Sequence, residues 1–340
     1  MTLRTYVNRS VVEINYDQCV KFAIKLRDVI KSMTLDTFTN EEYYPGTHCD
    51  AESVARYFIF MVAIDHRTSR LKPFEGYVHG KFYHGADLLY RLGMLKFKSN
   101  PEFFNPKNMA KISVDDIKSW LSVEGVAGRV TIWDPEIRAD LLRDLAIKLL
   151  KYYDGKVLKL IEFSRGLLKS STSYGFIDRL KAFKAYSDPV EKKAYLLTKF
   201  LARRRILKYS DEVNAEVPVD NHLTRIALRI GLISIRGPLF DKVIKEVEVN
   251  YEEDIWIRLY IRKAYKLISR ILGIDPLILD DFLWFFGRKC CVYEKPFCIT
   301  KIPCKGLGLE FKVCPFKEFC KAFKDKVILN EHTYRNTYYY

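Results

Sequence analysis

Apolar positions along this chain recur mostly at the three-to-four spacing of helices, and seldom with the strict alternation of strands. Val12, Ile14, Val20, Phe22, Ile24, Leu26 and Ile30 predict a first helix over 16–32. Asp50 stands where an N-cap belongs, ahead of an apolar helix over 51–63 whose composition predicts burial. Pro73, Gly76 and Gly80 interrupt 65–81, which reads as a loop, and a short helix over 86–95 should end near Gly93. Ser113 caps a helix over 114–121. Beyond Pro135 the pattern is strongly helical, with Leu141, Leu142, Leu145, Leu149 and Leu150 on one broad face. Ser187-Asp188-Pro189 suits a helix start, because Ser or Asp caps and Pro fits the first turn; that helix should reach 208. Asp220 opens another to 230, and two more follow over 252–272 and 277–287. The predicted fold class is mainly α, without repeats.

The pattern breaks at 289–324, where Cys, Gly and Pro leave no regular helix, so order there must come from a ligand or from packing. The expected organisation is an N-terminal helical region contributing to a substrate pocket (1–135), a helical core (136–288), the cysteine loop (289–324) and a tail (325–340).

Composition adds a direction. Lys and Arg outnumber Asp and Glu by 57 to 42, a net charge of +15, which favours a phosphate-bearing partner. Met1–Ser10 leads into no apolar signal core, and the dense apolar run over 57–64 falls short of the about 20 residues a bilayer span needs. The expectation is a soluble, intracellular, cytoplasmic protein without a membrane partner. Cysteines in that compartment are not expected to pair as disulfides. Six of the eight lie between Cys290 and Cys320, a clustering that points to metal.

Six residues separate Cys291 from Cys298, and five separate Cys314 from Cys320. Soft thiolates suit iron, and four of them satisfy a [4Fe–4S] cluster. Zinc uses the same ligands, usually in tighter pairs, and stays as the alternative. The segments GRKCCVYEKPFC and CPFKEFC resemble the iron–sulfur loop of the endonuclease III and adenine mismatch glycosylases, within the helix–hairpin–helix DNA glycosylase superfamily. Gly287-Arg288 stands where that family has a Gly-Arg pair. The resemblance implies Cys291, Cys298, Cys314 and Cys320 as ligands of a structural or redox-tuned cluster. It also implies a loop whose Lys289, Lys295, Lys301, Lys305, Lys312, Lys317 and Lys321 meet phosphates, although such lysines also simply solubilise a loop. The family has two residues in the middle interval, where this chain has fifteen, including Cys304. Cys304 therefore competes with Cys314 as third ligand, while Cys290, beside a ligand, points elsewhere.

VPVDNHLTRIALRIGL, from Val217 to Leu232, resembles the segment carrying the essential aspartate of the same glycosylases. The implied catalytic residue is Asp220. A fixed carboxylate stabilises the positive charge that builds on the sugar as an N-glycosidic bond breaks. Asp before an apolar helix is equally an ordinary N-cap. Some family members also use a lysine, in a Lys-x-Ala setting, as a Schiff-base nucleophile. Lys192, in Lys192-Lys193-Ala194, is the candidate for that role, and strand cleavage (AP-lyase activity) would follow base release if it acts. The family's glycine-rich, phosphate-binding hairpin has no counterpart in FKAYSDPVEKK.

FEGYVHGKFYHGADLLYRLGM and DPEIRADLLRDLAIKLLKYYDGK resemble, more diffusely, the queuosine-salvage N-glycosidases, which lack the iron–sulfur loop. The leading expectation is thus an N-glycosidase, a DNA glycosylase acting on damaged or mismatched bases in repair, with DNA as partner. The alternatives are a hydrolase of modified nucleotides or nucleosides, and a nucleic-acid-binding protein without catalysis. Further pocket candidates are His48, Asp50, Asp65 and His66, with Tyr77, Phe82 and Tyr83 for base stacking and Arg203, Arg204 and Arg205 for phosphate. Each of these also reads as structural.

Overall fold

A computed structural model describes residues 11–68, 73–327, 329–335 and 337–340. The expectation about Met1–Ser10 and part of the predicted loop 65–81 lie outside these residues. The fold is mainly α, with short strands between helices. Contacts divide the chain into two compact units: Met1–Asp36 with Ala215–Thr337, and Thr37–Asn214 with Tyr338–Tyr340.

The first unit brings together segments distant in sequence. Strand Val11–Ile14 pairs antiparallel with Ile233–Arg236, Val11 opposite Arg236. Helix Tyr16–Lys31 packs along helix Tyr251–Leu272. Asn15 caps the former, and an Asn250/Glu253 capping box starts the latter. Phe22, Leu26, Ile226, Ile257, Ile261 and Phe282 share its core. Burial of each such side chain contributes about 1.5–3 kcal/mol. The expected boundaries at 135 and 288 are therefore not where packing divides the chain. Local periodicity cannot show that residues 11–31 pair with partners more than two hundred positions away.

The second unit is built around helix Ala51–Ala63, in which every residue from Tyr57 to Ala63 is fully buried. Helices Ala86–Ser99, Pro135–Tyr153, Val157–Phe163 and Lys192–Arg203 pack on it. Helix Ala86–Ser99 does not end at Gly93 as the sequence suggested. A Cβ on Gly93 would lie 2.6 Å from the Met61 methyl, so this glycine lets two helices approach closely. The expected loop over 65–81 is corrected in part. Glu75–Val78 and Lys81–His84 form a hairpin around Gly80, joined by Ser122–Gly125 and Gly128–Thr131 in a four-stranded antiparallel sheet. The helix foreseen from Ser187 to 208 spans only Lys192–Arg203, because Glu191 adopts a left-handed φ of 59° and turns the chain just before it.

Candidate functional site

Helix Asn221–Ile230 sits at the centre of the candidate site in the first unit. Asp220 is its N-cap, and one carboxylate oxygen accepts the Leu223 N–H at 2.9 Å. The other oxygen has no hydrogen-bond partner among the described residues, and Asp220 is half-buried. The acid is thus fixed by its cap and keeps a lone-pair face free.

One and two turns along, the same helix buries Arg225 and Arg229. Arg225 donates to Cys291 O, Gly287 O, Glu331 Oε2 and His222 Nδ1, each at 2.8 Å. His222 accepts from a guanidinium, so that nitrogen carries no proton. Burial pushes His222 down to about 4, and Arg225 adds to the fall. Arg229 donates to Val292 O and Tyr293 O at 2.6 Å, to Leu329 O and Asn330 Oδ1 at 2.7 Å, and lies 3.4 Å from Cys291 Sγ. The Cys320 thiol donates back to Arg229 O at 3.2 Å. Gly287 matters here for space, since a side chain on it would strike His222 Cβ at 2.8 Å. One helix therefore carries the candidate acid and also holds the start of the cysteine loop.

Cys291, Cys298, Cys314 and Cys320 are free thiols, all partly buried. Burial raises Cys314 to about 12 and Cys320 to about 11, and the neighbouring Cys291 and Cys298 charges raise both further. Arg229 lies 3.4 Å from Cys291 Sγ and the Cys320 thiol reaches Arg229 O, so two of the four border helix Asn221–Ile230. Even so, no group of three or more His, Cys, Asp or Glu among the described residues is assembled to hold a metal ion. The donor chemistry fits a thiolate-bound cluster, whereas the ligand cage is not drawn together. Cys290 and Cys304 form a disulfide, with Cα atoms 5.5 Å apart. This corrects the expectation that no cysteines pair, and it removes Cys304 from competition for the third ligand position. The hairpin Cys304–Gly306/Leu309–Phe311 packs by the turn ending at Cys290, a contact that spacing could not reveal.

The expected tail is also built in. Leu329 and Asn330 are held by Arg229 and Glu331 by Arg225. His332 Nε2 donates to Asp254 Oδ1 at 2.6 Å, and Thr333 O takes the Val249 N–H.

A second polar cluster lies in the other unit, at the C-terminal end of helix Ala51–Ala63. The last carbonyls of a helix carry partial negative charge and attract cations. Lys193 Nζ donates to Ala63 O at 2.6 Å and Lys192 Nζ to Asp65 O at 3.3 Å. Arg138 donates to Ile64 O and, at 2.7 Å, to His66 O. Lys193 is fully buried, and burial with Lys192 and Arg138 nearby holds its amine well below the usual lysine range. Its Nζ lies 3.3 Å from His66 Nδ1, and His66 is likewise pushed well down by burial. Asp188 caps the helix start through the Lys192 N–H at 3.0 Å, and burial raises it to about 6. Lys192, the lysine singled out from sequence, caps a carbonyl; the strongly perturbed amine is its neighbour Lys193.

Other candidates take structural positions. Asp50 caps its helix through Ser53 N, Asp65 accepts from Tyr90, and Tyr83 donates to Glu42. Arg204 donates to the carbonyls of Phe38, Pro45 and Gly46. His48 is exposed beside Glu41, and Arg205 is exposed. Tyr77 and Phe82 form an exposed edge-to-face pair across two strands. The sequence reading took Asp188 as a helix cap, which it is, but missed Lys193 and Arg138 and the anchoring role of Arg225 and Arg229. The i, i+4 arginines within an apolar helix were the available signal, since arginine is buried only when paired.

No protein-family model matches the sequence. No curated protein matches it either. Among solved structures, the 8-oxoguanine DNA glycosylase of Pyrobaculum aerophilum, in complex with 8-oxoguanosine, is similar to it at 14% identity and a TM-score of 0.48. The match covers 81% of this chain and 89% of that one. Among the described residues no helix is long and apolar enough to cross a membrane.

Proposed function

We propose that the protein is an N-glycosidase that hydrolyses a base–sugar bond, with Asp220 as the carboxylate that stabilises positive charge on the sugar. The carrying observation is the double role of helix Asn221–Ile230. It caps itself with Asp220, leaves one carboxylate oxygen free, and anchors the cysteine loop through Arg225 and Arg229. The two segments that resemble DNA glycosylases are thereby parts of one packed unit. A half-buried carboxylate held by a backbone N–H needs no rearrangement as charge develops. It can also orient or deprotonate the attacking water.

Cys291, Cys298, Cys314 and Cys320 are the residues that would hold a [4Fe–4S] cluster, with zinc as the other occupant their chemistry allows. When bound, such a group would order the loop by cross-linking its thiolates. Arg229 would offset the thiolate charge at Cys291, near which its guanidinium already lies. Iron content and thiolate-to-iron absorbance in anaerobically purified protein test this; zinc in their place assigns the site to zinc.

DNA carrying damaged or mismatched bases is the substrate this reading favours, given the net charge of +15. One feature favours the modified-nucleotide alternative. In the turn before Lys192, Glu191 N–H bonds to Asp188 O and Lys192 N–H to the Asp188 carboxylate, so neither is left for a phosphate. The test is release of free base from damaged duplexes and, in parallel, from modified nucleotides. Asp220→Asn keeps the cap acceptor, so the fold should change by only a few tenths of a kcal/mol while base release falls at least about a hundred-fold. Unchanged release by Asp220→Asn would refute the assignment, and no release from any substrate would leave a binding protein.

A further inference from the structure

Asp220 sits where the chain turns from extended backbone into a helix, the place at which helices open first. Its carboxylate is held through the Leu223 N–H, a bond that lasts only while the first turn stays wound. Both residues that follow the acid are tied to buried arginines. His222 Nδ1 accepts from Arg225 Nη2, and Asn221 Oδ1 accepts from Arg258 Nη2, each at 2.8 Å.

Arg258 comes from a different element, helix Tyr251–Leu272, and is 1% exposed. Its Nε donates to Asp254 Oδ1 at 2.7 Å, one turn back on the same helix. That oxygen also takes the His332 Nε2 hydrogen bond, so a residue from the far end of the sequence closes the chain of contacts. Burial opposes the charge on Asp254, yet Arg258 and His332 hold its carboxyl below the usual carboxylate range. Two turns beyond Arg258, Tyr265 Oη donates to Leu223 O at 2.7 Å. Positions 254, 258 and 265 fall on one helical face, and that face meets the start of helix Asn221–Ile230. None of these groups is bonded to the Asp220 carboxylate. They fix the turn that carries it, and support one step removed from a reacting group is what keeps that group in a productive geometry.

We propose that Arg258 is a positioning residue for Asp220. Through Asn221 it pins the first turn of helix Asn221–Ile230 to helix Tyr251–Leu272, while Asp254 and His332 hold the guanidinium in place. The part concerning catalysis rests on the N-glycosidase reading; the pinning of the turn does not.

Arg258→Met would take the guanidinium from a buried carboxylate and endanger folding itself. The test therefore uses Asn221→Ala, which alters a partly exposed side chain and keeps Arg258, Asp254 and His332, and Asn221→Asp, which keeps an acceptor for Arg258. One readout is amide-resolved deuterium exchange at Leu223, with Ala227 in the middle of the same helix as the reference; the other is kcat and KM for base release. In Asn221→Ala, Leu223 should exchange at least about ten-fold faster while Ala227 stays as in the parent. The same variant should lose at least about ten-fold in kcat with KM held, the mark of a misplaced group and not of weakened binding. Asn221→Asp should restore both. Unchanged exchange at Leu223, equal acceleration at Leu223 and Ala227, an unchanged kcat beside faster exchange, or an Asn221→Asp variant no better than Asn221→Ala each overturns the proposal. A parent protein that releases no base from any substrate ends the N-glycosidase reading instead, and the exchange at Leu223 still decides whether Arg258 pins the turn.

Discussion

Both units bury cations on a helix, and they treat them oppositely. In the first unit, Arg225 and Arg229 lie on helix Asn221–Ile230 with partners spread around each guanidinium: four backbone carbonyls for Arg229, two for Arg225, and the Glu331 carboxylate. In the second, Lys193 on helix Lys192–Arg203 has one carbonyl and one imidazole nitrogen, and two further cations beside it. A planar fork with five donors can be buried charged when every donor is met. A lysine buried with few acceptors gives up its proton instead. The first arrangement is an anchor between helix Asn221–Ile230 and the cysteine loop. In the second, burial and the neighbouring cations hold the Lys193 amine well below the usual lysine range, the direction a nucleophilic lysine requires.

The largest effect should come from breaking the anchor. Arg225→Ala takes the guanidinium away from Glu331, which is 2% exposed, and removes a donor from the Cys291 and Gly287 carbonyls. Removal of one partner of a buried pair costs about 3–5 kcal/mol. Urea unfolding at pH 7 measures it, and a loss under about 1 kcal/mol would contradict the anchoring role. Double replacement with Glu331→Gln should recover part of the loss, because no charge is then left behind.

The anchor was partly legible in the sequence and the lysine cluster hardly at all. Asp220 with Arg225 and Arg229 lies on one short amphipathic helix, so local spacing announced both the cap and the unusual charges. The helices at 16–31, 51–63 and 251–272 were legible for the same reason: their apolar stripes are continuous and their caps are the preferred residues. The partners of the arginines were not legible. Gly287, Cys291, Glu331 and Leu329 come from segments sixty to about a hundred residues downstream, and two of them lie in the stretch set apart from the sequence only as a tail. The cations around helix Ala51–Ala63 come from Arg138, Lys192 and Lys193, on two other helices, and nothing local separates Lys193 from a solvated neighbour. The Cys290–Cys304 bond and the strand pairing Val11–Ile14 with Ile233–Arg236 are long-range in the same sense.

A smaller effect sharpens the contrast through pH. The Lys193 amine is depressed in the folded state and ordinary when unfolded. Between the two values the unfolded chain binds one more proton, so stability rises with pH, by at most about 1.4 kcal/mol per unit. The contribution is absent at low pH and complete once pH passes the ordinary lysine range. Lys193→Met removes the protonation difference. The variant should be as stable as the parent or more so at pH 7, and should lose that relative advantage towards pH 10. Parallel slopes for the two proteins from pH 7 to 10 would mean that Lys193 stays charged when folded. Arg225→Lys, measured alongside, should lower stability without that trend only if its new amine keeps the Glu331 charge.

The smallest effect concerns two groups in the second unit whose titrations oppose each other. Asp188 is raised to about 6 in the fold, so between its unfolded value near 3.8 and about 6 the folded chain holds the extra proton and stability falls as pH rises. His66 is held well below 6.5, so in the same range the unfolded chain holds the extra proton and stability rises with pH. The two slopes should largely cancel in the parent protein from pH 4.5 to 6. Asp188→Asn removes one of them while keeping the cap to the Lys192 N–H. The slope left behind should be positive and close to that of a single proton, about 1.4 kcal/mol per pH unit at its steepest. A slope unchanged from the parent would show that burial does not raise the Asp188 carboxyl.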